Sequence, residues 1–344
     1  MFSLNSKSSH VLCDSFKIFI RFVKAFSFNK IERIVLGVQD MKKVLFSLVI
    51  FVVASSVCLS AGTPDEGLWE AVNSQNVSDV RGALEEGANP NYMQGEDSVL
   101  MVACRLGNLQ IVQLLLGKRG INASLKNAHG QTALMIAAEK CNDLSIFRLL
   151  VDKGHANVND QDHAGETVLM HAMKTSDVNV LKFLWDQHIT NFNATDNKGN
   201  TAAMHAAALN KPESIKFLAH YAMGFDWTTT NLNGDNVLSL AIAKGGLDMV
   251  IVLIREVPDF DVDMRMGNGN PTLFWAIEKG VSSNIIEYLM DFYDAQTLIE
   301  ITDRNGRGIK KFIESKINIP NKKKLLRKIQ EAEQAVAKYK AVEN

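Results

Sequence analysis

The side chains best suited to chemistry in this chain are its histidines, and two pairs of them recur at one interval. His129 and His163 are 34 residues apart, and so are His171 and His205. Imidazoles gathered in this way are the usual beginning of a zinc site. Their surroundings argue for a plainer role. His129 and His163 sit in "NAHGQT" and "DHAGET", which read as turn tips in successive units, too far apart to share one ion. His171 and His205, in "VLMHAM" and "AAMHAA", occupy one position on a short apolar helix, where packing and a local hydrogen bond account for them. Of the four cysteines, only Cys104 and Cys141 fall within the patterned part of the chain. Stacking and axial offset should carry their Cα atoms beyond the roughly 7 Å that a disulfide spans, so two free thiols are expected. The regular glycines belong to turns rather than to a phosphate-binding loop. The sequence therefore predicts no catalytic residue, no cofactor and no metal.

The elements that position these residues repeat. Ala71, Ala103, Ala137, Ala172, Ala206, Ala241 and Ala276 follow one another at intervals of 32 to 35 residues. Seven residues before the last five stand Gly130, Gly165, Gly199, Gly234 and Gly269, in turns such as "DNKGNT" and "NLNGDN" where positive φ is needed. Thr132, Thr167 and Thr201 stand where a helix N-cap belongs. A short helix follows, with alanine where neighbours must approach closely. A second helix carries an apolar pair such as Leu114-Leu115, Leu149-Leu150 or Phe217-Leu218. Neither helix can bury its apolar face alone, so the units must stack.

This pattern, with a later "EEGANPN" or "DKGHANVN", resembles the ankyrin repeat over residues 64–320. The resemblance implies an all-α solenoid of about seven helix-turn-helix repeats in an elongated curved array. The units are 64–95, 96–129, 130–164, 165–198, 199–233, 234–268 and 269–305, with a degenerate cap at 306–320. The sequence departs from the family pattern in two places. The proline after the threonine is Ala133, Val168 or Ala202, and the histidine is Met101, Met135, Met170 or Met204, then Ser239 and Phe274. In the family that histidine bonds locally between repeats. Methionine is expected only to fill space.

The resemblance also implies a non-enzymatic, protein-binding role, with the turn tips and exposed inner-helix positions as the working surface. Counted from each repeat glycine, these are His129, Gln131, Glu139 and Lys140, then His163, Glu166, Lys174 and Thr175. The series continues through Lys198, Asn200, Leu209, Leu232, Asn233, Asp235 and Lys244 to Asn268, Asn270, Glu278 and Lys279. Leu209 and Leu232 are apolar where solvent is expected, and could centre a contact patch ringed by polar residues.

Charge separates the chain into three parts. Residues 1–61 carry 8 basic and 3 acidic side chains, residues 62–306 carry 18 and 31, and residues 307–344 carry 11 and 4. An array at a formal −13 argues against nucleic acid, whose phosphates need neutralising. The segment "MKKVLFSLVIFVVASSVCLSAG" has the basic start, apolar run and small residues of an export signal, here 41–61, with cleavage after Ser60 or Ala61. Val57 before Cys58 disfavours a lipid anchor. Retention as a membrane anchor is the alternative, the apolar run being about 17 residues against the ~20 of a spanning helix. Residues 1–40 read as an upstream extension or a mis-assigned start, since Leu36-Gly37-Val38 can be encoded with a bacterial ribosome-binding sequence ahead of Met41. At the other end, 321–344 reads as a basic amphipathic helix with an apolar stripe of Leu325, Ile329, Ala332, Val336 and Tyr339, suited to closing the array. The expected protein is an exported scaffold, periplasmic or extracellular, that binds a protein partner. A secreted effector engaging another organism's protein and a periplasmic stress-protection factor supporting an enzyme are the other readings.

Overall fold

A computed structural model describes residues 63–343 apart from Asn142, Ser176, residues 188–190, Gly245 and residues 317–318. The expected signal at 41–61 and the upstream segment 1–40 lie outside the described residues. Thr63–Asn344 is a unit by itself. It consists of helix pairs joined by tight turns. The first helices of the pairs are α1 (Pro64–Asn73), α3 (Val99–Arg105), α5 (Ala133–Lys140), α7 (Val168–Met173), α9 (Ala202–Ala208), α11 (Val237–Lys244) and α13 (Thr272–Lys279). Their partners are α2 (Val77–Glu85), α4 (Leu109–Leu116), α6 (Leu144–Asp152), α8 (Val178–Asp186), α10 (Pro212–Tyr221), α12 (Leu247–Glu256) and α14 (Ser283–Phe292). The only sheet among the described residues is an antiparallel ribbon of β1 (Met93–Gln94) and β2 (Asp97–Ser98) at the first tip. This is the all-α repeat solenoid that the sequence pattern implies.

From α1 to α11 each first helix packs on the next, and from α2 to α14 each second helix does the same, which gives two parallel layers with the core between them. The alanines that set the register are at the contact: Ala103, Ala137, Ala172, Ala206, Ala241 and Ala276 are all fully buried. Phe147, Leu150, Ile111 and Leu115 of the second layer fill the space between the layers and are equally buried. Each such side chain contributes about 1.5–3 kcal/mol by leaving water.

The helix starts hold a correction. Ser98, Thr132 and Thr167 cap α3, α5 and α7 by accepting the N–H of the residue three positions on. That residue is methionine, and its sulfur accepts the cap's own N–H in return, at 3.3 Å for Met101, 3.5 Å for Met135 and 3.4 Å for Met170. Methionine was expected only to fill space. It also completes a capping box, because thioether sulfur is a weak acceptor and the helix start leaves that N–H without another partner. Where Ser239 replaces methionine, Asn236 and Ser239 exchange two hydrogen bonds, of 2.8 Å and 3.0 Å.

The last first-layer helix, α13, is followed beyond α14 by α15 (Ala295–Glu300), α16 (Ile309–Ser315) and α17 (Lys322–Glu343). Leu325 and Ile329 of α17 are buried where it packs on α15 and α16, and Lys324 pairs with Glu287 at 2.7 Å. The apolar stripe is buried through Ala332, half-buried at Val336 and exposed at Tyr339.

Candidate functional site

Five of the turn tips are built on one residue three positions before the repeat glycine, the tip at Gly269 having Met266 there instead. The Oδ1 of Asn127, Asp162, Asp196, Asn231 and Asp303 accepts the N–H groups two and four residues on, at 2.8–3.0 Å. Gly130 and Gly165 then turn the chain at φ +78° and +77°. A side chain there would collide with the next tip, because a Cβ on Gly130 would lie 2.6 Å from the His163 nitrogen. This close approach lets the tips bond to each other: His163 N–H donates to the His129 carbonyl at 2.9 Å, Asn197 to Ala164 at 2.8 Å and Leu232 to Lys198 at 2.9 Å.

The tips and the first layer together form one face, and most of the expected contact residues lie on it. His129, Lys140, His163, Lys198, Leu209, Leu232, Asn233, Lys244, Glu278 and Lys279 are exposed. Gln131, Glu139, Glu166, Lys174, Thr175, Asn200, Asp235 and Asn268 are half-buried. Asn270 departs from expectation. It is buried, its Oδ1 accepting the Arg304 N–H at 3.0 Å and its amide donating to Glu278 at 3.2 Å, so it joins repeats instead of meeting solvent. Leu232 is the more prominent of the two apolar residues, 81% exposed against 48% for Leu209.

Two groups of residues are drawn together on this face. Asn233, Asp235, Asn268, Glu278 and Lys279 line one groove with Trp275 and Arg304, which sequence reasoning missed. The Lys279 ammonium lies 5.6 Å from the Trp275 ring centre, and Arg304 donates to the Asn268 carbonyl at 3.0 Å. The second group surrounds His171, which is buried. Its Nδ1 lies 3.1 Å from Glu139 and its Nε2 lies 3.1 Å from Asp162 and 3.5 Å from Glu166. Lys174 contacts Glu166 at 2.6 Å. His205 Nε2 is 3.0 Å from Asp196 and 3.9 Å from the other oxygen of Glu166. Asp162 and Asp196 were also missed, although their recurrence three residues before a repeat glycine was open to view.

The electrostatics follow from these partners. Burial raises the Glu139 carboxyl, but the hydrogen bond from Lys140, the charge of Lys174 and the contact with His171 outweigh it and hold the group below its ordinary range. Burial acts on Asp196 in the same way and is outweighed by the Asn200 amide and the N–H groups of Asn200 and Lys198. Cys104 and Cys141 are free and buried, and burial pushes both thiols up, which leaves neither activated as a nucleophile.

The family model described as "Ankyrin repeats (3 copies)" matches residues 68–162 and 142–231. Among solved structures, the human ASB11 ankyrin repeat domain is similar at 19% identity and a TM-score of 0.56, over 66% of this chain and 97% of that one. The ankyrin repeat domain of Bcl-3, described as a unique member of the IkappaB protein family, is similar at 20% identity and a TM-score of 0.53, over 65% of this chain and 97% of that one. At such identities the likeness is one of fold. No curated protein sequence matches the chain.

Proposed function

This chain is an ankyrin repeat protein, and we propose that it works as an exported, non-enzymatic scaffold that binds a protein partner through its turn tips and inner helices. Ankyrin repeats generally mediate contact between proteins, and a regular stack of tips offers a long surface rather than a pocket for a reaction. The observation that carries the choice of face is the exposure of Leu209 and Leu232 on adjoining repeats, among Lys198, Asn233 and Asp235. An apolar centre within a polar ring is the usual anatomy of a binding hot spot. Export rests on the lysine pair, apolar run and small residues of 41–61.

The test is affinity capture with the processed protein, followed by titration of the captured partner. Leu209→Asp with Leu232→Asp should weaken binding by more than about 2 kcal/mol, roughly 30-fold. Folding should be nearly unchanged, because exposed substitutions usually cost under about 0.5 kcal/mol. A matched pair of charge reversals at Lys182 and Lys216, on the second helices, should leave binding intact. Capture lost with the lysine pair and kept with the leucine pair would refute the chosen face, and a protein confined to the cytosol on fractionation would refute export.

A further inference from the structure

We propose that the group around Glu166 holds two divalent cations of the zinc class, one on Asp162, Glu166 and His171 and one on Glu166, Asp196 and His205, with Glu166 bridging them. In each set the imidazole nitrogen and carboxylate oxygens all lie within 4.8 Å of one another. Two ligands bound about 2.0–2.1 Å from one tetrahedral zinc stand roughly 3.4 Å apart. His171 Nε2 lies 3.1 Å from Asp162 and 3.5 Å from Glu166, so the first set already stands close to that spacing. The second set is wider on one side, at 3.0 Å and 3.9 Å from His205 Nε2.

The supporting residues are arranged as such a site needs. Glu166 turns its Oε2 to His171 and its Oε1 to His205, as a bridging carboxylate does. Asp162 and Asp196 each fix Oδ1 with two backbone N–H groups at 2.8–2.9 Å and turn Oδ2 to an imidazole, the Oδ2 of Asp196 also accepting the Asn200 amide at 3.0 Å. The far nitrogen of His171 faces Glu139 at 3.1 Å. A carboxylate on the second nitrogen orients a metal-binding histidine and raises its basicity. Mixed imidazole and carboxylate donors suit zinc and its first-row neighbours better than calcium or magnesium.

Lys174 is the competitor. Its ammonium contacts Glu166 at 2.6 Å and supplies positive charge where a cation would sit. Its side chain is 23% exposed on a flexible stem, so it can turn outward and yield the carboxylate. The donors come from two successive tips and from α7 and α9, with Glu139 on α5 behind them. A cation bound only by the folded stack would therefore tie α5, α7 and α9 together and raise their stability.

The test is titration of the chelator-stripped full chain with zinc chloride, read by calorimetry and thermal melting. Two zinc ions should bind per chain and the melting temperature should rise. Glu166→Gln should abolish both, while Asp162→Asn and Asp196→Asn should each remove one, with circular dichroism establishing that the variants fold. Lys174→Met should bind zinc at least several-fold more tightly, since no ammonium has to be displaced. Failure of the parent to bind, stoichiometry unchanged in the folded Asp162 and Asp196 variants, or no gain with Lys174→Met would overturn the proposal. So would zinc lost only on replacing the tip histidines, His129 and His163.

Discussion

Ala206→Leu tests the register on which every other assignment depends. Ala206 is fully buried on α9, which packs against α7 on one side and α11 on the other. Its carbonyl accepts the Lys211 N–H at 2.9 Å, so the backbone cannot withdraw without breaking the turn into α10. Leucine adds three carbons. If the interface made room, their burial would stabilise by about 0.8 kcal/mol each, some 2–3 kcal/mol in all. If it did not, forced rotamers and helix displacement would cost about 1–3 kcal/mol. The second effect should win, because Ala172 and Ala241 at the matching positions on the neighbouring helices are also fully buried and leave no slack. For a folded unit as long as Thr63–Asn344 a loss of about 2 kcal/mol lowers the melting temperature by roughly 3 °C. Stacked repeats are coupled to their neighbours, so hydrogen exchange should quicken first in α7, α9 and α11. Ala208→Leu is the internal control, since it lies on the same helix and is exposed, and its effect should stay within about 0.5 kcal/mol. Equal melting of the two variants, or an Ala206→Leu protein as stable as its parent, would refute the register.

Two further outcomes follow from local contacts. Thr201→Val keeps the shape of a buried cap and deletes the oxygen that accepts the Met204 N–H at 3.3 Å, so chemical denaturation should show a loss of about 1 kcal/mol. Burial raises the Asp303 carboxyl, but the Arg307 N–H and guanidinium outweigh it and hold the group below its ordinary value. A carboxyl depressed in the folded state binds its proton more readily when unfolded, so its stabilisation is present above the unfolded value and is lost as pH falls through the folded one. Melting between pH 5 and 3 should therefore be less pH-dependent in Asp303→Asn than in the parent, and identical slopes would refute the assignment.

The periodic positions were legible because each does the same local work in every repeat. Thr132, Thr167 and Thr201 cap helices, the alanines allow close approach, and Gly130 and Gly165 take a positive φ that other residues resist. Such tasks are set within a few residues of the chain and leave a mark at a fixed interval. The burial of Asn270 was not legible because it depends on Arg304, 34 residues further on, where the array is already degenerate. The methionine capping bonds were not legible for another reason: methionine reads as an apolar filler, and the weak acceptor capacity of its sulfur matters only where a helix start leaves a cap N–H three residues back.

The residues with distinctive chemistry are those that depart from the repeat. Six residues after the repeat glycine the chain has Ile136, His171, His205, Leu240 and Trp275. One residue after it stand Gln131, Glu166, Asn200, Asp235 and Asn270, and three before it Asn127, Asp162, Asp196, Asn231 and Met266. Taken one column at a time, each set looks like ordinary variation in a turn or a helix. Stacking makes the columns act together, because a side chain in one repeat lies against its counterparts in the next. Glu166 thus reaches both its own repeat's His171 and the following repeat's His205. A histidine and an acidic tip coincide only in the two repeats that begin at Gly165 and Gly199. The charged group forms there, while in the repeat beginning at Gly269 the same helix position supplies Trp275 to a polar groove. Regularity in this chain builds the surface, and departures from regularity decide what each part of the surface can bind.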